Sequence, residues 1–196
     1  MKKFYIVHGW EGSPNEKQLI WLRDKLVESG YEAVNLEMPN TEEPEIKAWI
    51  NKISESIEAP GEDIFLIGHS IGGQAVLRFT ETLPENIKIG GLVLIAPWMK
   101  LDEATLEEEG EEVRGIAKPW METPIDFKKI KEISPINLAF FSDNDPYVDM
   151  DAKEIFEKEI GAKTFVIKGR GHFIESNGIE LPEILEEINN TLNPNH

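Results

Sequence analysis

The sequence predicts an α/β fold with a mostly parallel sheet of about six strands and helices on both faces. Short apolar runs, rich in Val, Ile and Phe and largely free of charge, alternate with longer segments whose apolar residues recur at helical spacing. Uncharged runs of this kind are typical of strands buried on both faces, and strict alternation with helices is typical of a parallel sheet. No internal repeat or low-complexity linker interrupts the pattern, so residues 1–196 are expected to form one domain.

The apolar runs give the predicted strands, which in chain order are Phe4–Val7, Ala33–Leu36, Ile64–Ile67, Leu92–Ala96, Leu138–Phe141 and Thr164–Ile167. Between and after them, stripes of apolar side chains three or four residues apart predict helices. Members of these stripes are Leu19, Leu22, Leu26, Ile46, Ile50, Ile53, Ala75, Phe79, Ile155, Ile160, Ile184 and Ile188. Right-handed crossovers between parallel strands then leave few topologies for the sheet.

Composition excludes several classes of function. The chain carries 20 basic and 37 acidic side chains, a net charge of −17, and a chain this acidic repels nucleic acids and anionic membranes. The simplest role of this charge is solubility, and a bias towards neutral or cationic substrates is the alternative. The absence of cysteine excludes disulfides, thiolate metal sites and a cysteine nucleophile.

The first residues are basic and then apolar, but the apolar run is too short for a signal peptide. No stretch of the sequence has the length and hydrophobicity of a membrane span. We therefore expect a cytoplasmic protein.

One motif carries recognisable chemistry. Residues Gly68–Gly72 read Gly-His-Ser-Ile-Gly and match G-x-S-x-G, in which a serine occupies a sharp turn between a strand and a helix. The predicted strand Ile64–Ile67 directly precedes this motif, and a helical pattern opens at Gly73. This context predicts an α/β-hydrolase fold with Ser70 as its nucleophile. The Ile71 N–H, at the start of the helix, is then expected to donate to an oxyanion.

A serine nucleophile needs a histidine base, and in this fold the chain order is serine, acid, histidine. His172 is the downstream candidate, in a glycine-rich loop directly after the predicted strand Thr164–Ile167. The side chain of His69 should leave the turn in another direction, and His8, which precedes the nucleophile, is expected to be a buried structural residue. His196 is the terminal residue.

The acid should follow the predicted strand Leu138–Phe141. Asp145 is favoured because Pro146 would fix the chain just after it. Asp143, in the same loop, remains the alternative.

The loop after the first strand should supply the second oxyanion donor. Gly9 and Gly12 permit a close approach of this backbone to a ligand, and we assign the second donor to the Trp10 N–H. The alternative is a tight turn from strand to helix without a binding role. Candidates for an apolar substrate pocket are Gly9, Trp98, Trp120 and Phe173, although aromatic residues belong to the core more often than to a site.

One stretch, residues 98–124, has no clear place in the alternating pattern. Its centre is an acidic cluster between residues 107 and 112, flanked by Trp98-Met99 and Trp120-Met121. A solvated helix or loop between two core elements is the first interpretation. A short flap over the active site, with these aromatic and Met residues facing the substrate, is the second. The chain is too short for a large lid domain.

Four motifs together resemble the small serine hydrolases of the retinoblastoma-binding-protein-9-like group, which includes the bacterial YdeN-type proteins. They lie in the same order along nearly the whole chain, at His8–Pro14, Gly68–Gly73, Ser142–Tyr147 and Gly171–Phe173. The resemblance implies a compact α/β hydrolase whose Ser–Asp–His triad falls on Ser70, Asp145 and His172. It also implies an esterase or peptidase-like activity on poorly defined substrates.

The resemblance has two limits. The human member is named for a pocket-protein-binding motif centred on a cysteine, and this chain has no cysteine, so that partner is not expected here. Arg170 has no counterpart in the family pattern; it is expected either to bind a substrate carboxylate or to line the rim of the site.

The sequence thus predicts a serine hydrolase, carboxylesterase-like or aminopeptidase-like, that cleaves small-molecule esters or amides without a metal or cofactor. A binding protein that retains a hydrolase fold is one alternative, and transfer of the acyl group to an acceptor other than water is another. The oligomeric state is not predicted.

Overall fold

The computed structural model describes residues 1–193, so His196 lies outside the described residues. Six parallel strands form one sheet in the order β2-β1-β3-β4-β5-β6. Their bounds are β1 Lys3–Val7, β2 Glu32–Leu36, β3 Ile64–His69, β4 Gly91–Ile95, β5 Asn137–Ser142 and β6 Lys163–Ile167. The predicted strands are confirmed, and the sheet is parallel throughout.

Within residues 1–193, seven α-helices connect and cover the strands. They are α1 Lys17–Glu28, α2 Ile46–Ser56, α3 Ile71–Thr82, α4 Glu103–Glu122, α5 Phe127–Ile133, α6 Ala152–Ile160 and α7 Pro182–Leu192. Within residues 1–193, α1 and α7 contact each other, whereas α2, α3, α5 and α6 contact one another in a row. This division follows from right-handed crossovers, because the chain first moves from β1 to the edge strand β2 and then reverses direction.

Burial explains the uncharged strand sequences. Every residue of β3, β4 and β5 is buried, whereas β2 and β6 at the two edges are partly exposed. The nucleophile motif follows β3, a central strand, and α3 begins directly after it. The turn at Ser70 is therefore held on both sides by buried elements.

The segment that the sequence left open is mostly helical. α4 is divided at Gly110, whose φ of 92° and ψ of 175° are not helical, so two helical pieces meet there. The first piece begins at Asp102, whose carboxylate accepts a hydrogen bond from the Thr105 N–H at 2.7 Å. This capping bond and the break at Gly110 set the position of the first piece.

A buried arginine joins the end of α4 to α3. Arg78 is only 1% exposed, and its guanidinium donates to the carbonyl oxygens of Trp120 at 2.9 Å, Thr123 at 2.8 Å and Pro124 at 3.4 Å. It also lies 5.9 Å from the centre of the Trp120 indole. The nucleophile helix and the final turn of α4 are thus fixed to each other.

None of the helices in residues 1–193 is long and apolar enough to cross a membrane.

Candidate active site

Ser70 occupies the turn between β3 and α3 in a strained conformation. Its φ is 55° and its ψ is −124°, and its N–H donates to the Ile95 carbonyl oxygen at 2.9 Å. A positive φ is uncommon for a non-glycine residue and persists only where the surroundings impose it. A Cβ on Gly68 would lie 2.4 Å from the Gly72 carbonyl oxygen, and one on Gly72 would lie 2.5 Å from that of His8. Only glycine fits on either side of the serine.

The structure brings Asp145 and His172 into direct contact. The His172 Nδ1 lies 3.0 Å and 2.9 Å from the two carboxylate oxygens of Asp145. The Asp145 carboxylate is 1% exposed, and its Oδ1 also accepts from the Tyr147 N–H at 2.9 Å and the Val148 N–H at 3.2 Å. A carboxylate with this set of donors favours the tautomer in which Nδ1 carries the proton and Nε2 is free to accept one.

Ser70 and His172 line the same cavity, about 340 Å³ in volume. Within residues 1–193, the hydrogen bonds of the His172 side chain are those to Asp145. Bonds between a nucleophile and its base are often formed only in the complex with substrate. The arrangement is therefore suited to proton transfer between Ser70 and His172 once a ligand is bound.

Asp143, the alternative acid, contacts backbone. Its Oδ1 accepts from the Gly169 N–H at 2.7 Å, at the start of the loop that carries His172. Since Asp145 holds the imidazole, the geometry assigns Asp143 to the conformation of this loop and favours Asp145 as the acid.

Two further side chains after β5 bind the same loop. Ser142 Oγ accepts from the Arg170 N–H at 2.9 Å and donates to Asn144 Oδ1 at 2.8 Å. Asn144 Oδ1 also accepts from the Gly171 N–H at 2.8 Å. These bonds act directly before His172, so the loop that carries Asp145 also positions the loop that carries His172.

The other two described histidines are structural. His69 Nε2 donates to the His172 carbonyl oxygen at 2.8 Å, and burial, with a smaller contribution from His172, lowers the pKa of His69 to about 3. His8 Nδ1 donates to the Gly9 carbonyl oxygen at 2.8 Å, and its Nε2 accepts from the Met38 N–H at 3.3 Å. Burial lowers the pKa of His8 as well, so both rings are neutral and support the backbone of the site.

Of the two predicted oxyanion donors, Trp10 lines the cavity, and Ile71 directly follows Ser70, which lines it too. Ile71 is the first residue of α3, where N–H groups have no partner within the helix and the helix dipole favours negative charge. Trp10 is fixed by its indole Nε1, which donates to the Glu42 carbonyl oxygen at 2.9 Å. Among the described residues, neither the Ile71 N–H nor the Trp10 N–H forms a backbone hydrogen bond of a turn or loop.

The predicted pocket residues separate into two groups. Trp98 lines the cavity, and Gly9 adjoins it, since a Cβ on Gly9 would lie 3.3 Å from the Ser70 Cβ. Trp120 and Phe173 are buried and do not line the cavity. The Trp120 indole N–H donates to the Pro44 carbonyl oxygen at 2.8 Å, which places this ring in the core between α4 and α2.

The sequence did not identify the residues before and within α4 that line the cavity. Leu101, which precedes α4, and Thr105, Glu109 and Val113 within it contribute to the wall. They recur every fourth residue, a spacing that puts side chains on one face of an unbroken helix and that could have found them, although α4 is broken at Gly110, between Glu109 and Val113. The flanking Met99 and Met121 do not line the cavity. α4 thus forms one wall of the site, but of the four flanking residues that the flap interpretation placed at the substrate only Trp98 lines the cavity. Arg170 lies outside the lining, and its guanidinium donates to the Glu180 carbonyl oxygen.

Backbone strain is concentrated at this site. Within residues 1–193, five residues other than glycine have a positive φ, and four of them lie around the cavity: Glu11, Ser70, Ala96 and Phe173. Each lies in a segment that follows the carboxyl end of a strand, where ligands of parallel α/β proteins bind. Clustered strain of this kind is typical of functional sites.

A second cavity, of about 500 Å³, lies at the amino ends of the strands and is lined by residues that include Lys2, Phe65 and Ile136. It contains neither Ser70 nor His172, so the smaller cavity is the candidate active site.

A parallel sheet in this order, with a serine in a strained turn after a central strand, defines a hydrolase of the α/β class. The comparisons with known proteins agree. A family model described as serine hydrolase matches residues 4–190, and the chain belongs to this family.

Two relatives and one further structure illustrate the family and the fold. YdeN of Bacillus subtilis (strain 168) is 28% identical over 187 residues, covering 95% of this chain and 94% of YdeN. Serine hydrolase RBBP9 of Rattus norvegicus is 25% identical over 189 residues, covering 95% of this chain and 88% of RBBP9. The crystal structure of the B. subtilis ydeN gene product, 25% identical, superposes with a TM-score of 0.86 over 98% of this chain and 99% of that one. Est1E of Butyrivibrio proteoclasticus, with ferulic acid bound, shares the fold at 17% identity and a TM-score of 0.73. The superposition covers 98% of this chain and 88% of Est1E. The sequence resemblance to YdeN-type and RBBP9-like hydrolases is confirmed.

Proposed function

We propose that this serine hydrolase cleaves carboxylic esters or amides of small molecules through an acyl-enzyme formed on Ser70. The observation that carries the proposal is the buried Asp145–His172 pair, which shares one cavity with a serine in a strained turn. Pairs of an aspartate and a histidine are common on protein surfaces. A buried carboxylate that orients an imidazole beside an elbow serine is suited to nucleophilic catalysis.

The proposed reaction begins with proton transfer from Ser70 Oγ to His172 Nε2 as Oγ attacks the carbonyl carbon. The carbonyl oxygen becomes an oxyanion and accepts hydrogen bonds from the Ile71 and Trp10 N–H groups. Asp145 holds the Nδ1 proton and stabilises the imidazolium. The proton on Nε2 then passes to the leaving alcohol or amine as its bond to carbon breaks. Water attacks the acyl-enzyme with the same assistance, which releases the acid and restores Ser70.

The size and lining of the cavity support a small substrate with an apolar portion. The volume of about 340 Å³ is near the lower end of the range for small-molecule pockets. Its walls include Trp98, Leu101, Val113 and Ile174. These side chains favour an acyl or alcohol group of modest length.

The test is hydrolysis of p-nitrophenyl esters of increasing acyl length, together with labelling by a fluorophosphonate. Ser70→Ala should reduce kcat by roughly 10⁴–10⁶-fold and abolish labelling. A matched control is Ser54→Ala, at an exposed position of α2, which should change neither readout. Near-wild-type hydrolysis by Ser70→Ala would refute the assignment of the nucleophile.

The alternatives give different results in the same experiment. A folded wild-type protein that neither reacts with the fluorophosphonate nor hydrolyses any ester would favour a binding protein with a hydrolase fold. Acyl transfer would be seen as a new ester or amide when an alcohol or amine is added to the reaction.

A further inference from the structure

The cavity beside Ser70 has an unusual distribution of charge. Apart from His172, the charged residues in its lining are Glu11, from the loop after β1, and Glu109, from α4. Neither a lysine nor an arginine lines it within the part of the chain that the structure describes. The two carboxylates come from segments that are far apart in the sequence.

The nearby basic side chains do not neutralise these carboxylates. Arg114, close to Glu109 along α4, pairs instead with Glu103 at 2.5 Å and Glu111 at 3.4 Å. Arg170, in the loop before His172, donates to the Glu180 carbonyl oxygen. In residues 1–193, neither Glu11 nor Glu109 takes part in a salt bridge. The negative charge of the cavity is therefore available to a ligand.

Aromatic rings accompany the two carboxylates. Trp10, Trp98 and Tyr147 line the same cavity, and the Tyr147 ring packs edge-on against His172 with 5.1 Å between ring centres. Faces of aromatic rings attract cations, ammonium groups included, and tryptophan does so most strongly. Carboxylates at the rim and aromatic rings within the wall form an environment that favours a positively charged group next to an apolar group.

We propose that the substrate carries a positively charged ammonium group, which Glu11, Glu109 and the aromatic wall bind while its carbonyl lies at Ser70. This proposal rests on the proposed ester or amide hydrolysis and specifies the class of substrate. The same charges disfavour a substrate with a carboxylate or phosphate, because the cavity offers an anion no basic side chain beyond His172.

Isosteric esters separate charge from shape. The p-nitrophenyl esters of 4-(trimethylammonio)butyrate and of 5,5-dimethylhexanoate differ by nitrogen in place of a quaternary carbon, and the monoester of glutarate supplies an anionic counterpart. We expect kcat/KM for the cationic ester to exceed that for its neutral isostere by about tenfold at low salt, and the glutarate ester to be the slowest. The preference should shrink at 0.5 M NaCl (roughly a 4 Å screening length), since the rim charges are exposed.

Variants show whether the cavity or the net charge is responsible. Glu11→Gln and Glu109→Gln should each lower the ratio of cationic to neutral kcat/KM about threefold, and the double variant should lower it about tenfold. Comparing ratios between proteins cancels the different intrinsic reactivities of the two esters. Glu108→Gln is the matched control, because it removes the same charge from an exposed neighbour outside the cavity lining. An equal effect of Glu108→Gln and Glu109→Gln would overturn the proposal.

A binding measurement keeps this proposal distinguishable from the proposed function. Choline and 3,3-dimethylbutan-1-ol are an isosteric pair, and Trp10 and Trp98 provide a fluorescence signal in the cavity. Tighter binding of choline by the wild-type protein, lost in the double variant, supports the cation site even if none of the esters is hydrolysed. Ester hydrolysis with an unchanged cationic-to-neutral ratio in the double variant overturns the cation site and leaves the hydrolase.

Discussion

Asn144 offers a sharp test of how the base is positioned. Its Oδ1 accepts from the Gly171 N–H and the Ser142 hydroxyl, both at 2.8 Å, and Asn144→Ala removes both bonds. Each half-buried bond contributes about 0.5–1 kcal/mol, so the free energy of unfolding should fall by about 1–2 kcal/mol. For a chain of this size the corresponding decrease in Tm is about 2–8 °C.

The effect on catalysis should be larger than the effect on stability. Gly171 directly precedes His172, so a relaxed loop displaces the imidazole, and a displacement of about 1 Å costs up to ~10²-fold in rate. We therefore expect kcat for a p-nitrophenyl ester to fall 10- to 100-fold while KM changes little, because the cavity wall remains intact. Calorimetry and steady-state kinetics measure the two effects.

Asn144→Asp is the matched variant, since it keeps an oxygen acceptor at the same position. It should retain most of the stability and more of kcat than Asn144→Ala does. If Asn144→Ala had the Tm and kcat of the wild-type protein, the inference that the acid loop positions the base would be refuted.

Two further predictions concern buried charge and protonation. Arg78→Met leaves three carbonyl oxygens without their donor; it should destabilise the protein by about 3 kcal/mol and raise KM, because the end of α4 is no longer tied to α3. Wild-type KM together with loosened α4, seen as faster amide exchange, would contradict the link to binding. The pKa of His69 is lowered to about 3, so below pH ~6.5 the unfolded chain takes up a proton that the native chain excludes, and stability falls as pH decreases towards 3, by up to about 1.4 kcal/mol per pH unit. Urea unfolding between pH 4.5 and 7.5 measures how the free energy of unfolding changes with pH. In His69→Gln this change should be less steep by the equivalent of one proton, and an identical pH dependence in the two proteins would show that His69 is not the group responsible.

The strands and the nucleophile turn could be predicted because their physical signals are local. A strand buried on both faces must be apolar throughout, and the tight turn at Ser70 excludes side chains at Gly68 and Gly72. By contrast, α5 is a seven-residue helix in which Ile130 and Ile133 lie among lysines, too short for a clear periodicity. Its position depends on tertiary packing more than on propensity.

The limits of sequence-based prediction at the site have a similar origin. Asp143 and Asp145 lie two residues apart in a loop, and which carboxylate faces His172 depends on loop dihedral angles that residue type does not determine. Trp98 and Trp120 are both buried, but only Trp98 lines the cavity. Residue type alone does not show whether a tryptophan faces the cavity or the core. The break in α4 at Gly110, next to the lining residue Glu109, is indicated in the sequence only by a glycine within an acidic run.

The backbone strain around the cavity has a consequence for engineering. A glycine would adopt the positive φ of Glu11 or Ser70 without the cost, on the order of 1 kcal/mol, that a side chain incurs there. Selection or design for thermal resistance alone would therefore move these positions towards glycine and remove the nucleophile among the first changes. A screen for stabilised variants of this enzyme needs a simultaneous requirement for turnover, because the residues that limit its stability are the ones that shape its chemistry.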